Sequence, residues 1–157
     1  MKILFVCAGN TCRSVMAEYI MKKASLSLGH PGSFAVSSCG LFAVPGRGAN
    51  PLTLQALGEL GIDAAGHGTA GVNERIISEA DLVLVMEMSQ KQLLKAAYGK
   101  YGDKIFTLKG YGAADEDIGD PYGSDIFSYR HTRDLIFSEI ERIIKILPPE
   151  EDKNASH

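Results

Sequence analysis

Two hydrophobic periods alternate along the chain. Unbroken apolar runs occur at Ile3-Leu4-Phe5-Val6, Leu82 to Met86 and Ile105 to Leu108. Such runs read as strands buried on both faces. Phe34 to Ser38 reads as a further strand. Between these runs the apolar residues recur at helical spacing. Val15, Met16, Tyr19 and Ile20 mark a helix from Ser14 to near Gly29. Asn50-Pro51 opens a second helix, with Asn as N-cap and Pro in the first turn. Leu52, Leu54, Ala56, Leu57 and Leu60 follow, and Gly61 closes it. A short helix is expected near Glu74 to Glu79. Ser89 is expected to cap another, with Leu93, Leu94 and Ala97 inward and Gly99 as its stop. The last helix runs from about Asp125 to Leu147, with Leu135, Ile136, Ile140, Ile143, Ile144 and Leu147 on its apolar side.

Strands separated by helices predict an α/β fold. The expectation is a three-layer sandwich: a central four-stranded parallel sheet flanked by helices. Residues 1–147 form one domain in this reading. Pro148-Pro149 ends the last helix, and 148–157 is expected to be a disordered tail.

Composition narrows the function classes. A chain of 157 residues can bury a substantial core. A net charge of −3 gives no general attraction to nucleic acid or to anionic membranes. No apolar run approaches the roughly 20 residues that span a bilayer, and the N-terminus lacks a secretory leader pattern. Three cysteines, an odd number, do not make a disulfide scaffold and suit a reducing cytoplasm. No Cys/His spacing resembles a zinc site. Neither a metal nor a cofactor is expected.

The chemistry concentrates in residues 7–14, Cys-Ala-Gly-Asn-Thr-Cys-Arg-Ser, placed between the first strand and the first helix. Ligands of parallel sheets bind at the carboxyl ends of strands, so the first strand should feed directly into a phosphate-binding loop. Backbone N–H groups and the positive end of the helix dipole converge there on any anion. The same field favours a thiolate over a thiol at Cys7. Arg13 offers a planar fork that matches two phosphate oxygens. A nucleophile, an anion cradle and a clamp therefore occur within eight residues. The long polar stretch from Gly110 to Ser124 is of a length that usually carries function.

These features resemble the low-molecular-weight protein-tyrosine-phosphatase family. The strand followed by Cys7-x5-Arg13-Ser14 matches its signature, and Asp120-Pro121 matches its distant acid motif. The family's usual proline after Arg-Ser is Val15 here. The likeness covers about residues 1–147. The resemblance implies a two-step hydrolysis of phosphorylated proteins. Cys7 forms a phosphocysteine, and Asp120 protonates the leaving group and then activates water. Arg13 and the loop from Ala8 through Gly9, Asn10, Thr11 and Cys12 to Ser14 bind the phosphoryl oxygens. The resemblance also implies a support net around Asn10 and Ser14, with Ser38 and His67 as candidate members. It further implies a reversible Cys7–Cys12 disulfide. A small packed residue is the other reading of Cys12. Cys39 reads as structural, and His30, His131 and His157 as residues without a role.

Thr11 carries the sharpest information on substrate choice, a neutral loop variant being the other reading of it. Tyrosine phosphatases of the family commonly have isoleucine there, and a threonine resembles the bacterial protein-arginine phosphatases. Phosphoarginine is thus the favoured substrate and phosphotyrosine the alternative. Tyr122, followed by Gly123 rather than a second aromatic, points the same way. Tyr122 and Phe42 are candidate cleft walls, and Phe42 in a core is an equally open reading. Arsenate reduction lacks relay cysteines, since residues 80–125 contain none. A cysteine phosphocarrier would not need Asp120, and a dead binding module would not need Cys7, Arg13 and Asp120 together.

Overall fold

A computed structural model describes residues 1–30 and 32–148. Four strands, β1 (Lys2–Cys7), β2 (Ala35–Gly40), β3 (Leu82–Val85) and β4 (Ile105–Thr107), form one parallel sheet in the order β2-β1-β3-β4. The helices are α1 (Arg13–Ser27), α2 (Pro51–Gly58), α3 (Glu74–Glu79), α4 (Met88–Ala97) and α5 (Ile126–Ile146). A 3₁₀ turn over Gly99–Lys104 links α4 to β4.

Side-chain alternation along β1 builds two cores. Ile3, Phe5 and Cys7 join Met16, Ile20, Leu57, Ile136 and Ile140 in the larger one, beneath α1, α2 and α5. Leu4 and Val6 join Val83, Val85, Ile77 and Leu94 in the smaller one, beneath α3 and α4. These two cores are the interfaces of the expected three-layer α/β sandwich. Because β1 is central and buried on both faces, its carboxyl end is a fixed platform for the loop that follows.

Several local expectations are corrected. Strand β2 begins at Ala35 rather than Phe34, and it runs on to Gly40. It lies at the sheet edge, and only Cys39 and Gly40 are fully buried. Helix α4 is capped by Glu87, not Ser89. Glu87 and Gln90 form a reciprocal capping box. The Gln90 side chain turns inward to accept the amides of Met86 and Glu87 at 3.0 and 3.1 Å. That rotation stacks Leu94 beneath it and leaves Leu93 half exposed and Ala97 in solvent. Leu135 of α5 is only half-buried. The expected tail, 148–157, lies outside the described residues except for Pro148. Among the described residues, no helix is long and apolar enough to cross a membrane.

The polar stretch from Gly110 to Ser124 is tied down along its length. The Ile118 amide donates to Met86 O at 2.9 Å, and the Met88 amide donates to Asp117 at 2.8 Å. Asp115 accepts from Lys91 and Thr107, both at 2.8 Å. From α5, Arg142 donates to the carbonyls of Leu108, Lys109 and Tyr111. The acid motif at its end is therefore carried on an anchored segment.

Candidate active site

Residues 8–12 leave β1 and enter α1 as a tight loop, and its carbonyls are bonded outward. Cys7 O and Ala8 O accept from the amides of Leu41 and Phe42, both at 2.9 Å. Asn10 O is bonded to His67 Nε2 at 2.9 Å. Thr11 O accepts from the Asn50 amide at 3.0 Å and the Thr53 hydroxyl at 3.1 Å. With the carbonyls held away, the loop amides and the unpaired first-turn amides of α1 are free to line the concave side. Asn10 takes a left-handed conformation, φ 56°, which Asn tolerates better than most residues.

Asn10 organises the interior of the loop. Its Nδ2 donates to Ser14 Oγ and to Ser38 Oγ, both at 2.9 Å, and its Oδ1 accepts from the Ala70 amide at 3.1 Å. Ser14 Oγ lies 2.9 Å from Cys7 Sγ. Either atom can donate while Cys7 is a thiol, but a thiolate can only accept, so in the ionised form Ser14 donates to the sulfur. A donor on sulfur stabilises the thiolate. Ser38 passes the chain on by donating to Glu18 at 2.6 Å, and Glu18 pairs with Lys22 at 2.7 Å.

Arg13 is 2% exposed and its guanidinium is aimed by three groups. Nη1 donates to Glu87 at 2.5 Å and to Ile118 O at 2.7 Å. Nη2 lies 3.4 Å from Asp120 Oδ2, an ion-pair distance. The Nε and Nη2 edge therefore remains as the fork for an anion. Asp120 itself accepts from the Tyr122 amide at 3.0 Å, a turn held by Pro121.

These elements enclose a cleft of about 300 Å³. Cys7, Gly9, Thr11, Cys12, Arg13 and Asp120 lie at its floor and sides. Phe42 and Tyr122 stand at its rim, 74% and 71% exposed, so Phe42 belongs to the cleft and not to a core. Every sequence-predicted site residue is thus brought to one place. Ala8 and Thr11 line the cleft, while Asn10, Ser14, Ser38 and His67 form its support.

The cleft's chemistry finds its counterpart in known proteins. The family described as low molecular weight phosphotyrosine protein phosphatase matches residues 2–153. The chain belongs to that family. It is a protein phosphatase of the small cysteine-dependent class. The Bacillus subtilis (strain 168) protein-arginine-phosphatase is 40% identical to it over 94% of either chain. The Staphylococcus epidermidis tyrosine phosphatase PtpB is 33% identical, over 91% of this chain and 96% of its own. Among solved structures, a cysteine-to-serine mutant of the YwlE arginine phosphatase has a phosphorylated active-site serine. It superposes with a TM-score of 0.90 at 38% identity, covering 96% of this chain and 98% of that one. A low molecular weight protein tyrosine phosphatase from T. tengcongensis superposes at 0.89 with 39% identity, covering 94% and 99%.

In this phosphatase several contributors escape a reading of the sequence. Glu87 follows β3 at the carboxyl edge of the sheet, and that position was the available signal. Glu18 falls one helical turn after Ser14, on the same face. Gly40, Thr69 and Tyr129 carry no motif. Tyr129 Oη, from α5, lies 3.4 Å from Cys12 Sγ. Burial and that thiol push its hydroxyl above the ordinary tyrosine range. Cys12, Cys7 and Cys39 are all free thiols. Cys39 packs in the smaller core, where burial pushes its thiol up to about 12.

Proposed function

We propose that this phosphatase hydrolyses phosphoarginine in proteins, with Cys7, Arg13 and Asp120 as its catalytic residues. The observation that carries the substrate is Thr11. Its side chain faces the same cleft as Cys7 and Asp120, where it offers a hydroxyl and little bulk. The names of the relatives at 40% and 38% identity support the same reading.

In the first step Cys7 thiolate attacks phosphorus in line. An S–P bond forms as the P–N bond to the arginine breaks, and Asp120 gives its proton to the departing guanidine nitrogen. The Arg13 fork and the loop amides hold the equatorial oxygens, where transition-state charge is spread. Glu87 and the Ile118 carbonyl keep that fork in plane. In the second step water attacks the phosphocysteine. Asp120 takes its proton, phosphate leaves, and the thiolate returns to the Ser14 hydroxyl. Asp120 also suits a planar guanidinium, to which a carboxylate can bind in two-point fashion.

The second reading is phosphotyrosine. It draws support from Phe42 and Tyr122, whose exposed rings flank the cleft and could sandwich a phenyl ring. The proposed setting is a reducing cytoplasm, which three free cysteines suit. The deciding experiment compares kcat/KM on matched phosphoarginine and phosphotyrosine peptides, with Cys7→Ser as blank. A phosphoarginine preference that Thr11→Ile shifts toward phosphotyrosine is the expected result. A phosphotyrosine preference in the wild type, or one indifferent to Thr11→Ile, would overturn the assignment.

A further inference from the structure

The catalytic cleft contains two arginines, and they are in opposite electrostatic conditions. Arg13 is buried and already faces two carboxylates, Glu87 and Asp120. Arg47 lines the same cleft from the exposed side, and among the described residues its guanidinium has no ion pair. A free cation is ordinary on a surface. This one differs in how its backbone is held.

The segment from Val44 to Arg47 is stapled to Thr69, which is 5% exposed. The Arg47 amide donates to Thr69 Oγ1 at 2.9 Å, and the Thr69 amide donates to Arg47 O at 2.7 Å. The Gly46 amide donates to Thr69 O at 2.9 Å, and the Thr69 hydroxyl donates to Val44 O. The next residue of that second segment, Ala70, is bonded through its amide to Asn10 of the phosphate loop at 3.1 Å. A hydrogen-bonded path of two residues thus fixes the Arg47 backbone against the loop that holds the phosphoryl group. The charge is mobile only through its own side-chain torsions, over the cleft mouth.

We infer that Arg47 is a specificity residue that selects substrates with an acidic side chain beside the phosphorylated residue. This inference rests on the protein-phosphatase reading of the cleft and adds a sequence preference to it. A polypeptide entering the cleft must present its flanking residues at the mouth. There Arg47 is the one cleft-lining charge not already faced by an opposite charge in the described structure. The whole chain carries −3, so an acidic segment meets general repulsion that this local cation offsets. A lysine or arginine in the same place would meet a like charge.

An exposed ion pair changes affinity by about two- to fivefold, and repulsion of the opposite charge adds a similar factor. The wild type should therefore prefer a glutamate-flanked over a lysine-flanked phosphopeptide by roughly tenfold in kcat/KM at low salt. Molar salt should erase most of that preference. Arg47→Ala should bring the ratio near one, and Arg47→Glu should invert it. Thr69→Val, which removes the hydroxyl staple, should weaken the ratio, and Thr69→Ser should restore it.

The test measures kcat/KM on the two peptides, identical except for the flanking residue, and on p-nitrophenyl phosphate, which has no flank. A ratio that follows the charge at position 47 supports the inference. A ratio of one in the wild type overturns it and leaves the phosphatase reading intact. An equal loss on all three substrates in Arg47→Ala also overturns it, since Arg47 would then act on the phosphate itself. Failure of the wild type to hydrolyse any of the three would overturn both readings.

Discussion

Gly40 ends β2 directly against the phosphate loop, and a single methyl group there should slow the enzyme. A Cβ built on it would lie 2.7 Å from Ala8 O, 2.9 Å from the Asn10 amide nitrogen and 2.9 Å from Ala43 Cβ. Ordinary non-bonded contacts of carbon start near 3.3–3.5 Å. Two of the three colliding atoms are backbone atoms of the loop itself, so no flexible side chain can give way. In Gly40→Ala the loop must retreat by roughly 0.5 Å. Misplacing reacting groups by about 1 Å can cost about a hundredfold, so half that displacement corresponds to about tenfold in kcat/KM. Overpacking of this kind destabilises by about 1–3 kcal/mol, which lowers Tm by about 2–12 °C for a chain of this size. The assay is kcat/KM on an aryl phosphate together with thermal unfolding, and with inhibition by inorganic phosphate as a report on the cradle. Gly58→Ala is the matched control. Gly58 is an exposed residue of α2 with nothing within 4 Å of its Cβ position, and alanine there should raise stability by up to about 1 kcal/mol. Activity of Gly40→Ala within twofold of wild type, at unchanged Tm, would refute the argument that the loop has no room to move.

The remaining predictions concern the clamp, the buried thiol and the acid-loop anchor. Glu87→Ala removes the 2.5 Å partner that fixes the Arg13 guanidinium, so kcat on an aryl phosphate should fall about tenfold or more; an unchanged kcat would contradict the clamp. Cys39, its thiol pushed up to about 12 by burial, is ionised in about one molecule in 10⁵ at pH 7. Iodoacetamide at neutral pH should therefore label Cys7 and leave Cys39 intact by peptide mass spectrometry, and equal labelling would contradict its placement. The Asp115 carboxyl is held below the ordinary aspartate range, first by the hydrogen bond from Lys91 and then by that from Thr107. Its stabilisation is present in full above the pKa of the unfolded aspartate and is lost as pH falls through the folded value. Asp115→Asn should therefore lower Tm at pH 7, and the difference from wild type should shrink below about pH 4. A difference that grows on acidification would sink this account.

Most of the residues proposed to perform the chemistry are legible in the chain because they are packed into eight consecutive positions, with Asp120 the distant exception. A cysteine, an asparagine, an arginine and a serine between an apolar run and a helix constrain one another through local backbone geometry. That constraint needs no distant partner to be recognised. The α/β layering was legible for the same reason, since strand and helix periods are local. Tertiary packing overrides the local signal at the start of α4. Ser89 is a reasonable cap by type, yet Gln90 turns inward to serve the amides at the end of β3, and the helix start moves to Glu87.

The sequence by local pattern identifies the family and the candidate chemistry: a nucleophilic thiol, an anion cradle and a distant acid, proposed at Cys7, Arg13 and Asp120. How these groups are aimed depends on contacts between distant parts of the chain. Arg13 and Glu87 are joined across 74 positions, Arg13 and Ile118 across 105, and Asn10 and Ala70 across 60. Phe42 reaches the cleft rim, Gly40 is squeezed beneath the loop, and Arg47 is pinned at the mouth by a threonine 22 positions away. No local period encodes such pairs. They exist because a parallel sheet brings the carboxyl ends of β1, β2 and β3 to one edge, and every segment leaving that edge is forced to share the same small volume.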